Sequence, residues 1–559
     1  MKLTRPRWTA LVISAVLLVV LVAVSQFTAF DNPFDAKSVG ELDTGGFGFD
    51  APPVGPGKIA MWLAVRVLAG LVLYAAVFYA LRFWERLRAG EPVCRRWLWI
   101  AIGVFVVNTV VLLLVWPGFW TNDSYFVMAK AQQNWISTWQ NVFTAIYFPV
   151  SMVLVPSVIG PVIVQVMFGS IVAGYVVART VDTLRRPWLG YALLLPFLTL
   201  PVLLFDQYPL RSTIHAYVEL AVVFRILIVR VRPELVVNRY REFVFLSTAI
   251  AVLAFWRTEC ILYLLLIPML AVTLRIFRRS DVDARRGRAV VAVGLVAAVV
   301  VVNVGIAGVL SNAKYTVTAV LNPLSVMLQE PLGGADLKAN LAAIDRVIDL
   351  DLVREMPSVY DIPSYWTDRL MRPDYKAHMS EFQRAYVSLV AQNPGAFLEA
   401  RVRTFLVTNS LGDFPRRYAR GLEVINVGQS LDETRAAFEQ RNPSLVPFDR
   451  DFQEQAIRAF LLLDAHDDDL PFGALVWNAI PALALMLVFF VGSIVRRRWV
   501  YAGVLAILLT RAGIVFATAP ARYFMYYFFA YLVGGVVILC LGVRGLDRIL
   551  PPPRTRRGA

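Results

Sequence analysis

Apolar residues in this chain gather into long runs that charged residues rarely enter, and the runs recur from end to end. They lie at Leu11–Phe27, Ala60–Leu81, Trp97–Val115, Val153–Val177, Trp188–Phe205, Ile214–Ile228, Phe243–Phe255, Ile261–Leu274, Ala289–Leu310, Leu475–Ile494, Val500–Thr518 and Phe524–Gly542. A helix rises about 1.5 Å per residue and a bilayer core is about 30 Å thick, so most of these runs can span. The pattern predicts an all-α polytopic membrane protein with about twelve transmembrane helices. The stretch Phe243–Leu274 is interrupted by AFWRTEC. One straight helix there would be about 48 Å long and would put the basic loops flanking it on opposite sides, so a hairpin of two short spans is expected.

Charge sets the orientation. Lys and Arg cluster at Lys2/Arg5/Arg7, Arg82–Arg96, Arg179–Arg186, Arg230–Arg241, Arg275–Arg288, Arg496–Arg498 and Arg544–Arg557, in alternate gaps between runs. Basic loops stay on the cytoplasmic side, so both termini are expected there. The first run follows MKLTRPRW; a signal peptide would look similar, but the run is long enough to be an uncleaved anchor. The long segment Asn312–Leu470 contains no convincing span and by parity falls outside, as a helical extracytoplasmic domain. LKANLAAIDRVIDLDLV and HMSEFQRAYVSLVAQ read as helices, with turns at MPSVYDIPSYW and MRPDYK. FLEARVRTFLVTNSL and EQAIRAFLLLD read as helices lying on the membrane or packing against the spans. The expected organisation is two N-terminal spans with a cytoplasmic loop (1–96), a core module (97–311) with a first outer loop (116–150), the outer domain (312–472), three more spans (473–545) and a basic tail (546–559).

Composition agrees: 58% of residues are hydrophobic and 17% charged. The net charge of +15 would point to nucleic acid in a soluble protein, but here the excess sits in short inter-span loops, so no nucleic-acid partner is expected. The three cysteines, Cys94, Cys260 and Cys540, are not poised to pair outside.

Against this background WPGFWTNDSY stands out, because it puts a carboxylate, Asp123, just past the outer end of the third run. Basic residues on the outer face are few, and three lie at span mouths: Arg211 in YPLRSTIH, Arg257 in WRTE and Arg522, followed by Tyr523, in APARYFMYY. Arginine grips phosphate or carboxylate with two parallel bonds. Each residue also has a structural reading. Asn122-Asp123-Ser124 can cap a helix, Arg211 can pair with Asp206, and Arg257 with Glu259. His215 can be a satisfied interface histidine rather than a substrate contact. The acidic cluster Asp464–Asp469 makes a divalent cation possible and is equally a solvated loop. Arg66, inside a run, is a further polar hint.

An outward acid, outward arginines and an apolar bundle fit group transfer from a lipid phosphate. The carboxylate takes a proton from an attacking hydroxyl while guanidinium groups steady the phosphate that leaves. The arrangement resembles the GT-C superfamily of membrane glycosyltransferases. In that family an acid lies in the first outer loop of a seven-span module, amphipathic helices follow it, and a longer outer loop follows the seventh span. With Trp97–Val115 as first span, Asp123 falls in that loop, WISTWQNVF supplies the juxtamembrane helix, and the segment from Asn312 follows the seventh span. PGFWTNDS, LNPLSVMLQ and ARYFMYY are similar to motifs of bacterial members. The resemblance implies a bacterial plasma-membrane enzyme, a polyprenyl-phosphate-linked sugar as donor, a glycan or lipid of the cell envelope as acceptor, and Asp123 as general base in an inverting displacement. Asn122, Arg211, Glu259, Arg257, His215, Arg522 and Tyr523 would then contact substrate. Many members carry a second acid near the first; this chain has Asn122 and Ser124 there, so neither acid pairing nor a metal is implied. Two other classes fit the pattern, a flippase for lipid-linked sugar or other secondary transporter, and a scaffold subunit.

Overall fold

The computed structural model describes residues 5–32, 55–135, 141–276, 288–289, 291–297, 299–300, 303, 313–355, 370–411, 430–464, 466, 470 and 472–550. Among them regular structure is helical, apart from one isolated bridge between Ile348 and Met371. Among the described residues seven helices are long and apolar enough to cross a bilayer: Arg7–Thr28, Pro56–Arg88, Pro92–Leu114, Gly160–Thr183, Gly473–Val495, Trp499–Thr518 and Ala530–Ile549. A pair bent by 61°, α7 (Pro187–Leu198) with α8 (Leu200–Asp206), makes an eighth if it is one broken span. The chain is therefore an all-helical membrane protein with the lipid bilayer as its partner.

The difference from the twelve apolar runs has local causes. The expected span Val153–Val177 is displaced, because helix α5 (Val142–Leu154) stops before Pro156 and α6 (Gly160–Thr183) starts at Gly160–Pro161. Proline suits a first helical turn, where its missing N–H is not needed. Trp188–Phe205 bends where Pro196 and Pro201 flank Thr199. Helix α9 (Arg211–Val231) carries Arg211, Glu219, Arg225 and Arg230, more charge than a lone lipid-facing helix tolerates. Helix α10 (Arg239–Trp256) ends where Arg257 takes extended backbone (φ −134°, ψ 136°). The 3-10 segment Thr258–Leu265 then packs back along α10 and continues as α11 (Leu266–Thr273), so the chain doubles back at Arg257. The last run becomes continuously helical only from Phe528, after a 3-10 turn at Phe524–Tyr526. Half of Ala289–Leu310, most of WISTWQNVF, the turn MPSVYDIPSYW and the tail 551–559 lie outside the described residues.

Preceding these are α1 (Arg5–Thr28), α2 (Pro56–Arg88), α3 (Pro92–Leu114) and the short α4 (Asn122–Gln132). Helices α3 and α6 share the most extensive contact among the described helices. A Cβ on Gly174 would lie 2.7 Å from Trp97, whose indole nitrogen donates to the Ile171 carbonyl at 2.9 Å. Without hydrophobic drive inside lipid, such contacts rely on small residues that let backbones approach. The largest core joins α6, α9 and α10 to the C-terminal spans, α6 contributing Ala173, Val176 and Val177 and the last span Phe528, Leu532 and Val536.

The segment from 313 divides in two. Residues 313–411 contain α12 (Ala313–Met327), α13 (Leu337–Asp345), α14 (Leu350–Arg354), α15 (Tyr375–Gln392) and α16 (Pro394–Thr408). They enclose their own core of Val317, Leu321, Ile344, Ile348, Phe382 and Leu389. Arg401 of α16 anchors this piece by donating to the Phe516 and Ala519 carbonyls, each at 2.8 Å, at the end of Trp499–Thr518. Those carbonyls have no partner within their own helix, and a cation complements that end. The second piece, α17 (Ser430–Arg441) and α18 (Arg450–Leu461), packs instead on the loop that follows α3.

Candidate functional site

Asp123 lies in the first turn of α4 and is half-buried. It does not cap the helix as its sequence context allowed. Thr121 holds the N-cap position in extended backbone, without a side-chain cap bond, and Asn122 opens the helix. The side chain of Asn122 lies outside the described residues. A first helical turn is a favourable place for negative charge.

The surroundings of α4 are aromatic and roofed. Tyr125 stacks on Trp120 (5.8 Å between centroids) and on Phe438 of α17 (4.7 Å). Burial pushes the Tyr125 phenol well above its ordinary range, so it stays neutral. Gln132 at the end of α4 donates to Asn442 at 2.8 Å. Gln453 of α18 donates to the Trp116 carbonyl at 2.9 Å, and Phe448 stacks on Trp116 at 5.2 Å. Arg441 forms an ion pair with Asp31. Residues 430–461 thus cover the Asp123 loop, whereas 313–411 sit against the C-terminal spans.

The same loop is tied to the start of α9. Gly118 has φ +92°, and a Cβ there would overlap the Gln207 carbonyl oxygen. This close seat lets the Phe119 amide donate to that oxygen at 3.0 Å. Four residues beyond Gln207, α9 begins with Arg211, and four residues beyond Phe119 comes Asp123. On the other side, Asn141 before α5 donates to the Phe255 carbonyl at 2.9 Å, and the Trp256 indole donates to Thr144 at 3.0 Å. Both ties converge on the reversal at Arg257.

Arg257 is buried; it donates to Ser212 Oγ at 2.5 Å and is ion-paired with Glu259. Ser212 follows Arg211, which also acts electrostatically on Glu259. Arg522 is fully buried immediately ahead of the turn Phe524–Tyr526, which packs on α9. Tyr523 is buried and stacks on Tyr526 at 6.1 Å. Arg257 thus reaches the start of α9 beside Arg211, and Arg522 lies two residues before Phe524, whose ring is 6.0 Å from that of Phe205 just ahead of α9. Asp206 does not pair with Arg211; its carboxylate accepts from the Tyr217 hydroxyl at 2.9 Å. His215 is fully buried, with Nε2 on the Leu253 carbonyl at 3.1 Å and Nδ1 3.5 Å from Glu219.

Below this end, within the bundle rather than at the span mouths, lies a buried ionic cluster. Arg511 Nη1 donates to Glu219 Oε2 at 2.6 Å and to the Tyr263 hydroxyl at 3.1 Å, and its Nη2 is 3.7 Å from Glu259. The Tyr263 hydroxyl donates to Glu219 Oε1 at 2.5 Å. Arg511 also faces the Phe529 ring at 3.8 Å. Two arginines (Arg257, Arg511) balance two glutamates (Glu219, Glu259). The signal was in the sequence, since LLTRAGI and YVELAVV each put a charge inside an apolar run, where ionisable residues are rare.

A groove of about 820 Å³ runs along one face of α10, lined by Tyr240, Val244, Thr248, Val252 and Trp256, with Asn238, Arg241 and Arg288 at its far end. From Asn238 to Trp256 it extends about 27 Å, nearly the depth of a bilayer core. Its Trp256 end adjoins Arg257. Arg66 serves packing: it bonds Asn134 at 2.9 Å and Gln26 at 3.2 Å and faces the Phe30 and Trp62 rings. Of the acidic cluster, Asp467–Asp469 lie outside the described residues, and among the described residues no group of three His, Cys, Asp or Glu is placed to hold a metal. No family model matches the chain, and neither a curated protein nor a solved structure matches it.

Proposed function

We propose that this chain is a GT-C-type membrane glycosyltransferase, moving a sugar from a polyprenyl-phosphate donor to a cell-envelope glycan or lipid acceptor. The observation that carries the reading is the convergence of the Asp123 loop on the start of α9, near which Arg211, Arg257 and Arg522 lie. In this reading Asp123 accepts the proton of the acceptor hydroxyl as its oxygen bonds to the anomeric carbon. The bond from that carbon to the phosphate oxygen breaks, and the electron pair leaves with the lipid phosphate, which the arginines stabilise. Displacement from the opposite face inverts the anomeric centre. The groove ending at Trp256 suits the tail, because its length exceeds what one leaflet's acyl chains need.

The topology that belongs to this proposal has about twelve spans, both termini in the cytoplasm of a bacterium, and residues 312–472 outside the plasma membrane. The decisive experiment is Asp123→Asn in proteoliposomes carrying a radiolabelled polyprenyl-phosphate sugar and an envelope extract as acceptor. General-base removal typically costs about 10²–10⁴ in rate, so transfer should fall at least a hundredfold with folding unchanged. Near-normal transfer would remove the mechanism. The buried Glu219–Arg511–His215 cluster also suits a transporter, since intramembrane ionisable groups often line transport paths. The same labelled donor separates the two readings, because a transporter moves it with the glycosyl bond intact.

A further inference from the structure

We propose that the basic end of α3 holds an anionic phospholipid, seated in a depression of about 440 Å³ between α3 and the 3-10 segment Tyr191–Leu198. The site is independent of the reaction proposed above. It is lined by Pro92, Arg95, Arg96, Trp99, Ile100 and Tyr191. The α3 residues recur at helical spacing, so they form one face that meets Tyr191.

Charge selects the headgroup. The carboxylate nearest in sequence, Glu91, is taken by Arg86, which donates to its two oxygens at 2.8 and 2.5 Å. Neither Arg95 nor Arg96 has an ion pair among the described residues. Two guanidinium groups without a protein carboxylate, beside a cavity, suit a phosphate diester. Shape selects the lipid. From Pro92 to Ile100 the depression extends about 12 Å, less than half of a bilayer core, so it accommodates a headgroup and the upper acyl chains of one leaflet. The groove along α10 is more than twice as long, which separates the two occupants. Trp99, Trp188 and Tyr191 are 62%, 65% and 42% exposed at this end, as aromatic residues are at a membrane boundary.

Each arginine at a membrane surface contributes roughly a fivefold preference for anionic lipid, so two should give about thirtyfold. The test is native mass spectrometry of the full chain, extracted from vesicles of equal phosphatidylglycerol and phosphatidylcholine. The unsubstituted chain should retain phosphatidylglycerol with about that preference. Arg95→Gln/Arg96→Gln should lose it, whereas Arg82→Gln/Arg88→Gln, which removes as much charge at the same end, should keep it. Trp99→Ala/Tyr191→Ala keeps all charge and should reduce retention severalfold. Equal retention of both lipids by the unsubstituted chain would overturn the site. So would equal losses in the two arginine pairs, or full retention in the aromatic pair, since either would make the attraction a diffuse property of the basic surface.

Discussion

Replacing Arg511 by methionine removes the cation that bonds Glu219 at 2.6 Å and lies 3.7 Å from Glu259, in a setting where Arg511 and Glu219 are almost entirely inaccessible. The cluster of Arg257, Arg511, Glu219 and Glu259 then carries one uncompensated negative charge. Breaking a buried pair by removing one partner costs about 3–5 kcal/mol, mostly because the surviving charge has no solvent. Glu219→Gln leaves the opposite imbalance and should cost a similar amount. The double variant restores neutrality, so its loss should fall short of the sum by about 2 kcal/mol or more, within the range of couplings for directly contacting groups. The assay is equilibrium unfolding of the four proteins in mixed micelles, read by tryptophan fluorescence and assembled into a double-mutant cycle. A double variant that loses the full sum of the two single losses would refute the reasoning, because the charges would then not be balancing one another.

Two further outcomes follow from local geometry. Gly118→Ala adds a Cβ where φ is +92° and the Gln207 carbonyl leaves no room. It should destabilise the chain by about 1–3 kcal/mol and raise hydrogen exchange at the Phe119 amide, which mass spectrometry can follow. Partial burial pushes the Asp345 carboxyl upward, but the Leu350 amide and the Arg372 guanidinium prevail and hold it below its usual range. A depressed folded-state value stabilises above the unfolded value, about pH 4, and that contribution is lost as pH falls through the folded value. Protection of α13–α15 should therefore fall below about pH 4, and Asp345→Asn should flatten that dependence. An unchanged profile in the variant would exclude Asp345 as its source.

How much of the candidate site could be read from the chain depended on whether its partners are local. WRTE puts Arg257 and Glu259 two residues apart, and their ion pair is present. Asp206 lies five residues before Arg211, yet it turns instead to Tyr217, nearly two helix turns further along α9. Asp123 read as a cap by composition, but the helix begins at Asn122, two residues earlier than a cap at that position requires. Arg511 and Glu219 are far apart in sequence, and no local rule connects them.

The sequence by itself determined the class of molecule, because long apolar runs have one stable solvent and a helix satisfies its backbone within the run. It also placed the chain reversal at Arg257, where polar residues interrupt a stretch too long for one span. Tertiary structure alone decided which part of 312–472 covers the Asp123 loop, residues 430–461, and that Arg257 and Arg522 lie near the start of α9. Periodicity reports which face of a helix avoids water. Inside a membrane it does not report which neighbour that face meets, since lipid and another helix are equally apolar and side-chain fit makes the choice.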